Sequence, residues 1–296
     1  MKKSLLFALA VFVFASTAHQ AAGQQPTNTS PPKVLSVFRE EVKASKGAGH
    51  EKVEAGYVAA LRKANWPVYG IALTPVAGPN DAWFTTGYDS FEAWEKDRQA
   101  TDKNAELGRE FDRLDNLDAE FRTNQRSFVA VLRDDVSYHP NVDLAQVRYF
   151  EIITLRVRPG HDSDFEELAK MIHTAFEKKN SPTDHFAIYQ VMAGLPGGTF
   201  FVFLPMKSLK EVDANMKPEN QQAFMKALGD FKKLEKLTGE SVLSEEDAIY
   251  AINPRMSYVS KEFAAAGGDF WKPKPMAKPA AKKRAVAAKP AEKTPQ

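Results

Sequence analysis

Tyr149-Phe150-Glu151-Ile152-Ile153-Thr154-Leu155-Arg156-Val157-Arg158-Pro159-Gly160-His161 reads as a β-prone strand, a turn ending in Gly-His, and the entry to a helix. The same order of signals stands earlier in the chain, where Val34 to Val42 is the strand and Gly49-His50 closes the turn. A self-match of this kind is worth extending before anything else is decided. Beyond the first turn, Val53, Tyr57, Ala60, Leu61 and Ala64 recur at helical spacing, and a shift of 112 sets them against Phe165, Ala169, Ile172, His173 and Phe176. Two β-prone runs follow in each copy, 68–74 with 82–88 and 186–192 with 200–206. They are joined by the turn clusters Gly78-Pro79-Asn80-Asp81 and Pro196-Gly197-Gly198-Thr199. Ser90 and Ser208 are placed to cap a second helix, since a serine hydroxyl accepts from an otherwise unpaired backbone N–H. Phe111, Leu114 and Leu117 then match Phe231, Leu234 and Leu237, and last strands at 128–132 and 248–252 lead to Val136-Ser137-Tyr138 and Met256-Ser257-Tyr258. The chain therefore reads as one β-α-β-β-α-β unit written twice, over 34–140 and 147–260, the order of a split βαβ or ferredoxin-like motif.

What flanks the two units differs in kind. Met1-Lys2-Lys3, the apolar run from Leu5 to Ala15 and the small residues after it have the layout of a secretory leader, expected over 1–23. Its apolar stretch is short for a membrane span, which needs about 20 residues. Residues 24–33 are polar and proline-rich, a linker. From 267 to 296 the chain is rich in Lys, Pro and Ala, a composition that cannot bury enough apolar surface to fold. The formal net charge of +2 conceals this asymmetry: Lys2 and Lys3 carry +2 and residues 272–296 carry +7, which leaves −7 for the rest. The chain has no cysteine, which excludes disulfides, thiolate metal sites and cysteine nucleophiles. An exported periplasmic or secreted protein of this kind must hold its fold by core packing alone.

The run from Tyr149 to His161, followed by a helix carrying Phe165 and Leu168, resembles the opening of dimeric α+β barrel proteins. The antibiotic-biosynthesis-monooxygenase-like and NIPSNAP-like families are among them. The resemblance covers most of 34–260. It implies an α+β fold in which two tandem ferredoxin-like βαββαβ units pack sheet-to-sheet as an intramolecular α+β barrel. Strand composition agrees. Leu35 and Val37 lie on one face of the first strand and Val34 and Phe38 on the other, and 199–204 is apolar without alternation, as a strand buried on both sides requires. The superfamily includes cofactor-free oxygenases, haem-binding enzymes and small-ligand binders. Its haem-degrading members carry a Trp and a His near the second helix. Trp94 fits the first, but Asn104 stands where the His is needed, and the second copy has Val212 in place of the Trp. No haem or other cofactor is expected, and Trp94 reads as a core anchor beside Phe91.

Several residues invite a functional reading beside a plainer one. Gly49-His50 and Gly160-His161 are either acid/base groups at two barrel mouths or solvent-facing residues at a helix start, where the glycine makes the turn. His173 is the one catalytic candidate, a base for a cofactor-independent oxygenase, set against simple packing between Ile172 and Phe176. No H-x-x-x-H pair, H-E-x-x-H run or carboxylate cluster accompanies it, so no metal site is expected. Arg39 and Glu41 share a face of the first strand, with Thr154 and Arg156 matching them. Facing the lumen, they either polarise a ligand or pair across the copies, Glu41 with Arg156, to fix their register. Trp83, Phe201 and Tyr69 are the expected lumen aromatics. Three functions compete: binding of a small apolar molecule in the barrel, cofactor-independent oxygenation, and a structural role in which the basic tail around Lys282-Lys283-Arg284 contacts an anionic envelope polymer. Export makes nucleic acid the weaker partner.

Overall fold

In the computed structural model of the chain, residues 30–272 are described. The expected leader (1–23), the linker up to residue 29 and the tail from 273 lie outside them. The first half runs β1 (Val34–Val42), α1 (Gly47–Lys63), β2 (Gly70–Ala77), β3 (Asp81–Tyr88), α2 (Phe91–Lys103), α3 (Ala105–Asp118) and β4 (Arg122–Leu132). The second runs β5 (Tyr149–Val157), α4 (Asp162–Lys179), β6 (Ala187–Ala193), β7 (Thr199–Met206), α5 (Lys210–Asn215), α6 (Pro218–Leu228), α7 (Phe231–Ser241) and β8 (Val242–Ile252), with α8 (Lys261–Ala266) after it. The second-helix region is thus two helices in one half and three in the other, which is why a constant sequence offset fails between Trp94 and Phe111. The serine cap holds in the first half, where Ser90 Oγ accepts from Ala93 N at 3.1 Å. No described helix is long and apolar enough to cross a membrane.

The eight strands form a closed antiparallel barrel in the order β1-β3-β2-β8-β5-β7-β6-β4. Closure is by ladder rather than by face-to-face stacking alone. β2 pairs with β8 (Leu73 opposite Ile252) and β4 with β6 (Val131 opposite Gln190), so among the described residues none of the eight strands keeps a free edge. The two Ser-Tyr endings seal these seams. Ser137 Oγ accepts from Ile188 N of β6 and Ser257 Oγ from Ala72 N of β2, both at 2.9 Å, so each half reaches across to the other's second strand.

Alternation along the strands sorts the core into layers. Leu35, Val37, Trp83, Phe201 and Phe203 point into the barrel, while Val34 and Phe200 point out to the helices. The strand expected to be buried on both sides is so. Midway along the lumen Trp83 meets Phe128, Phe201 and Tyr250 with ring centroids 5.3–5.6 Å apart. That cluster fills the middle of the barrel.

The structure moves two helix registers. Buried positions of α1 and α4 coincide at His50 with Phe165, Glu54 with Ala169 and Ala60 with Ala175. These pairs lie 115 apart, the spacing of the preceding strands, rather than 112. The apolar match of Phe165 to Val53 was one turn out because charged side chains occupy the equivalent buried positions of α1. Likewise Leu117 and Phe231 are exposed, whereas Leu114 and Leu237 are buried, as are Asp118 and Ser241. The order also extends past Gly267, where the tail was expected to begin. Trp271 is buried against Phe263, and its Nε1 donates to Ala145 O at 3.0 Å.

Candidate functional site: a barrel-end cavity and a buried charge cluster

Where β1, β2, β5 and β6 begin, the lumen is not filled. A cavity of about 120 Å³ remains, walled by Leu35, Leu73, Phe150, Tyr189 and Phe203 from the strands and by Val142 and Leu144 from the connection between the halves. Pro31 and Pro32, the end of the expected linker, lie over it. Pro32 sits so close to Gly87 that a Cβ there would come within 2.6 Å of it, and Tyr189 OH donates to Pro32 O at 2.9 Å. Burial raises the Tyr189 pKa, so this phenol stays a neutral donor. Tyr69 and His185 are polar groups at the same wall, and His185 Nδ1 lies 3.2 Å from His139 O.

At the opposite end the lumen is charged. Asp81 is buried and accepts from Arg39 Nε, from Trp83 Nε1 at 3.1 Å and from Tyr250 OH at 3.0 Å. The Arg39 guanidinium also lies over the Trp83 ring, 5.2 Å from its centroid. Glu41 takes a hydrogen bond from Asn124 at 3.2 Å. It is not ion-paired with Arg156, whose Nε is buried without a hydrogen-bond partner. Of the expected lumen residues, Tyr69 therefore borders the cavity, Trp83 and Phe201 form the plug below it, and Arg39, Glu41 and Arg156 stand at strand ends beyond the plug. His173 is elsewhere, on α4 in the helical layer, with Nδ1 3.8 Å from Glu177.

A second constellation lies between the helices and the outer face of the first half-sheet. Glu40 leaves β1 on the side opposite Arg39. His50 and Glu54 come from α1, Asp118 ends α3 and Arg122 opens β4. Glu40, His50 and Asp118 are 1%, 2% and 0% exposed. His50 Nε2 is 2.7 Å from Glu40 Oε2 and 3.9 Å from Asp118 Oδ1. Arg122 takes the other oxygens, lying 2.5 Å from Glu40 Oε1 and 3.4 Å from Asp118 Oδ2, and also bonds Asp115. Neither Asp118 oxygen has a hydrogen-bond partner. Desolvation, then the charges of Glu40 and Asp118, push the Glu54 carboxyl up to about 9, so it is protonated at neutral pH. Desolvation and Glu40 also raise the pKa of Asp118, against the pull of His50 and Arg122.

His50 is therefore neither at a barrel mouth nor in solvent. His161, its expected counterpart, is half-exposed and pairs with Asp164 at 2.8 Å. Gly49 makes no turn. It lies in the first turn of α1 under the Phe121 ring, which would sit 2.3 Å from a Cβ. The expectation of no metal-ligand grouping overlooked this cluster, because its members come from β1, α1 and α3 and no local spacing unites them. Among the described residues it is the one grouping of three or more His or carboxylate side chains placed to hold a cation. The signal available was His50-x-x-x-Glu54, two ligand-type residues four apart on one helix face.

No family model matches this chain, and no curated protein does. Among solved structures, a provisionally named monooxygenase from Fusobacterium nucleatum subsp. nucleatum is 14% identical with a TM-score of 0.48, covering 75% of this chain and 93% of that one. An anthrone oxidase-like protein is 13% identical at 0.48, covering 76% and 93%. A chlorite dismutase variant from Candidatus Nitrospira defluvii is 10% identical at 0.45, covering 81% and 98%. Likenesses of this order bear on neither activity nor ligand.

Proposed function

We propose that this protein, built from two tandem ferredoxin-like units, binds a small apolar molecule about the size of one aromatic ring in the barrel-end cavity. The observation that carries this reading is the wall itself: Leu35, Leu73, Phe150 and Phe203 face a space of about 120 Å³ that the surrounding core does not fill. Well-packed interiors leave few such voids, and an apolar one of about 150 Å³ stays dry and takes up benzene. The volume is small beside the ~300–1,000 Å³ of drug-sized sites, which sets the ligand class. The Arg39 and Arg156 side chains stand beyond the Trp83 plug, so polar orientation of the ligand falls to His185 and Tyr69. An oxygenase reading would likewise draw its base from His185, at the cavity, rather than from His173. The leader over 1–23 puts this binding outside the cytoplasm.

Titration of the full chain with toluene and with indole, followed by calorimetry and by the shift in Tm, tests the reading. Saturable binding is expected, and Ala187→Leu, which grows a side chain into the cavity, should abolish it while leaving the circular dichroism unchanged. Absence of saturable binding, or binding indifferent to Ala187→Leu, would leave the barrel as a filled scaffold. Contact of the basic tail with an anionic envelope polymer would then be the function to pursue.

A further inference from the structure

We infer that the first half of the chain holds a single divalent first-row transition-metal cation, of the Mn²⁺, Fe²⁺ or Zn²⁺ class, between Glu40, His50, Glu54 and Asp118. One ligand atom from each of these four residues lies within 4.8 Å of all the others, so small rotations bring four donors around one ion. The donor set is one imidazole and three carboxylates. Carboxylates alone suit Mg²⁺ and Ca²⁺, whereas an imidazole among them shifts preference to the borderline metals.

Three features separate this grouping from an ordinary buried ion-pair network. The first is Asp118, wholly buried with both oxygens lacking a hydrogen bond. Its nearest cation, Arg122, stands 3.4 Å from Oδ2 without a hydrogen bond, which offsets the cost of burial only in part, and its Oδ1 points to the side where His50 Nε2 and Glu40 Oε2 meet. The second is the division of labour around Arg122. It holds the outer oxygens, Glu40 Oε1 and Asp118 Oδ2, and leaves the inner pair toward His50. That is how outer groups orient the ligands of a metal.

The third feature is the other half of the molecule. At the positions equivalent in strand register and helix burial, Glu40, His50, Glu54, Asp118 and Arg122 are replaced by Leu155, Phe165, Ala169, Ser241 and Val242. Phe165 there packs on Phe200 with ring centroids 4.5 Å apart. The architecture is satisfied by an apolar core at this place, so folding does not require the charges, and burying them is costly unless they serve a ligand. A route to the ion exists. Glu54 and Tyr57 border a cleft of about 220 Å³ between the helices and the sheet, which Trp66, Phe84, Phe111 and Tyr258 also line. This inference is independent of the barrel-end cavity, which lies on the other side of the sheet.

The test is titration of the chelator-stripped full chain with Mn²⁺, read by electron paramagnetic resonance, and with Zn²⁺, read by calorimetry in two buffers of different ionisation enthalpy. One ion per chain is expected. Loss of a group that merely orients a ligand weakens metal affinity about 10–100-fold, so Asp118→Asn should weaken it at least that much. The fivefold variant carrying Leu, Phe, Ala, Ser and Val at 40, 50, 54, 118 and 122 should bind none. A wild-type chain that takes up no stoichiometric ion overturns the inference and leaves the cluster as a buried ion-pair network around Arg122. Uptake equal in wild type and Asp118→Asn also overturns it, since exposed acidic groups would then be the site. Should the fivefold variant fail to fold, wild-type stoichiometry and Asp118→Asn still decide.

Discussion

Replacing Glu54 by glutamine should make the metal-free protein more stable, and increasingly so as pH rises. In the folded chain the Glu54 carboxyl ionises only near 9, against 4.5 for the free group, chiefly because burial between α1 and the sheet removes its water and because Glu40 and Asp118 are negative nearby. The sign follows from proton binding. Above about pH 4.5 the unfolded chain gives up this proton and the folded chain does not, so stability falls with rising pH until the folded group also ionises, near 9. Each pH unit crossed between those values costs about 1.4 kcal/mol, which amounts to about 3 kcal/mol at pH 7 relative to pH 4.5. Glutamine keeps the shape and the neutral state but has no proton to lose. The assay is urea unfolding of wild type and Glu54→Gln, with chelator present, at several pH values from 4 to 8.5. The difference in unfolding free energy should be near zero at pH 4 and grow to about 3 kcal/mol by pH 7, with unchanged m-values. A difference that is flat across pH would refute the reasoning. It would mean that Glu54 is ionised in the folded protein, held by His50 or Arg122.

Two further substitutions probe the lumen. Asp81→Ala removes the acceptor of Arg39, of Trp83 Nε1 and of Tyr250 OH. Breaking one side of a buried pair costs about 3–5 kcal/mol, so the urea midpoint should fall accordingly; a loss under about 1 kcal/mol would show that water replaces the carboxylate. Trp83→Ala empties the plug that Phe128, Phe201 and Tyr250 pack against, and a cost of about 3–5 kcal/mol is expected from the cavity left behind, read as a drop in Tm.

The barrel was legible because its evidence is repeated and local. Two β-prone strands that each lead into a helix, two hairpins with turn residues between β-prone runs, and two Ser-Tyr endings each carry a signal that a single unit would have left weak; the Gly-His match adds nothing, since Gly49 and His50 lie within α1. The sorting of Leu35 and Val37 from Val34 and Phe38 follows from period-two alternation alone. The charge cluster was not legible for the same reason. A search for apolar residues at helical spacing aligns Val53 and Tyr57 with Phe165 and Ala169, and so passes over His50 and Glu54, which hold the equivalent buried positions. Glu40 shares the strand face of Val34 and Phe38, and nothing within the strand shows that α1 and α3 bring His50, Glu54 and Asp118 against it. The cavity depends on what fails to fill a space, and on Pro31 and Pro32 folding back over it, neither of which any spacing encodes. Composition places Trp271 in the tail, whereas its indole is buried against Phe263 and donates to Ala145 O.

The central claim is that the barrel end is a site for a small apolar molecule. A crystal of the full chain under xenon pressure tests it most directly, since xenon enters apolar voids without needing a matched ligand. The account predicts an ordered xenon atom enclosed by Leu73, Phe150, Tyr189 and Phe203, absent from crystals of Ala187→Leu. A lumen closed by side chains at that end, with no xenon in it, would contradict the account.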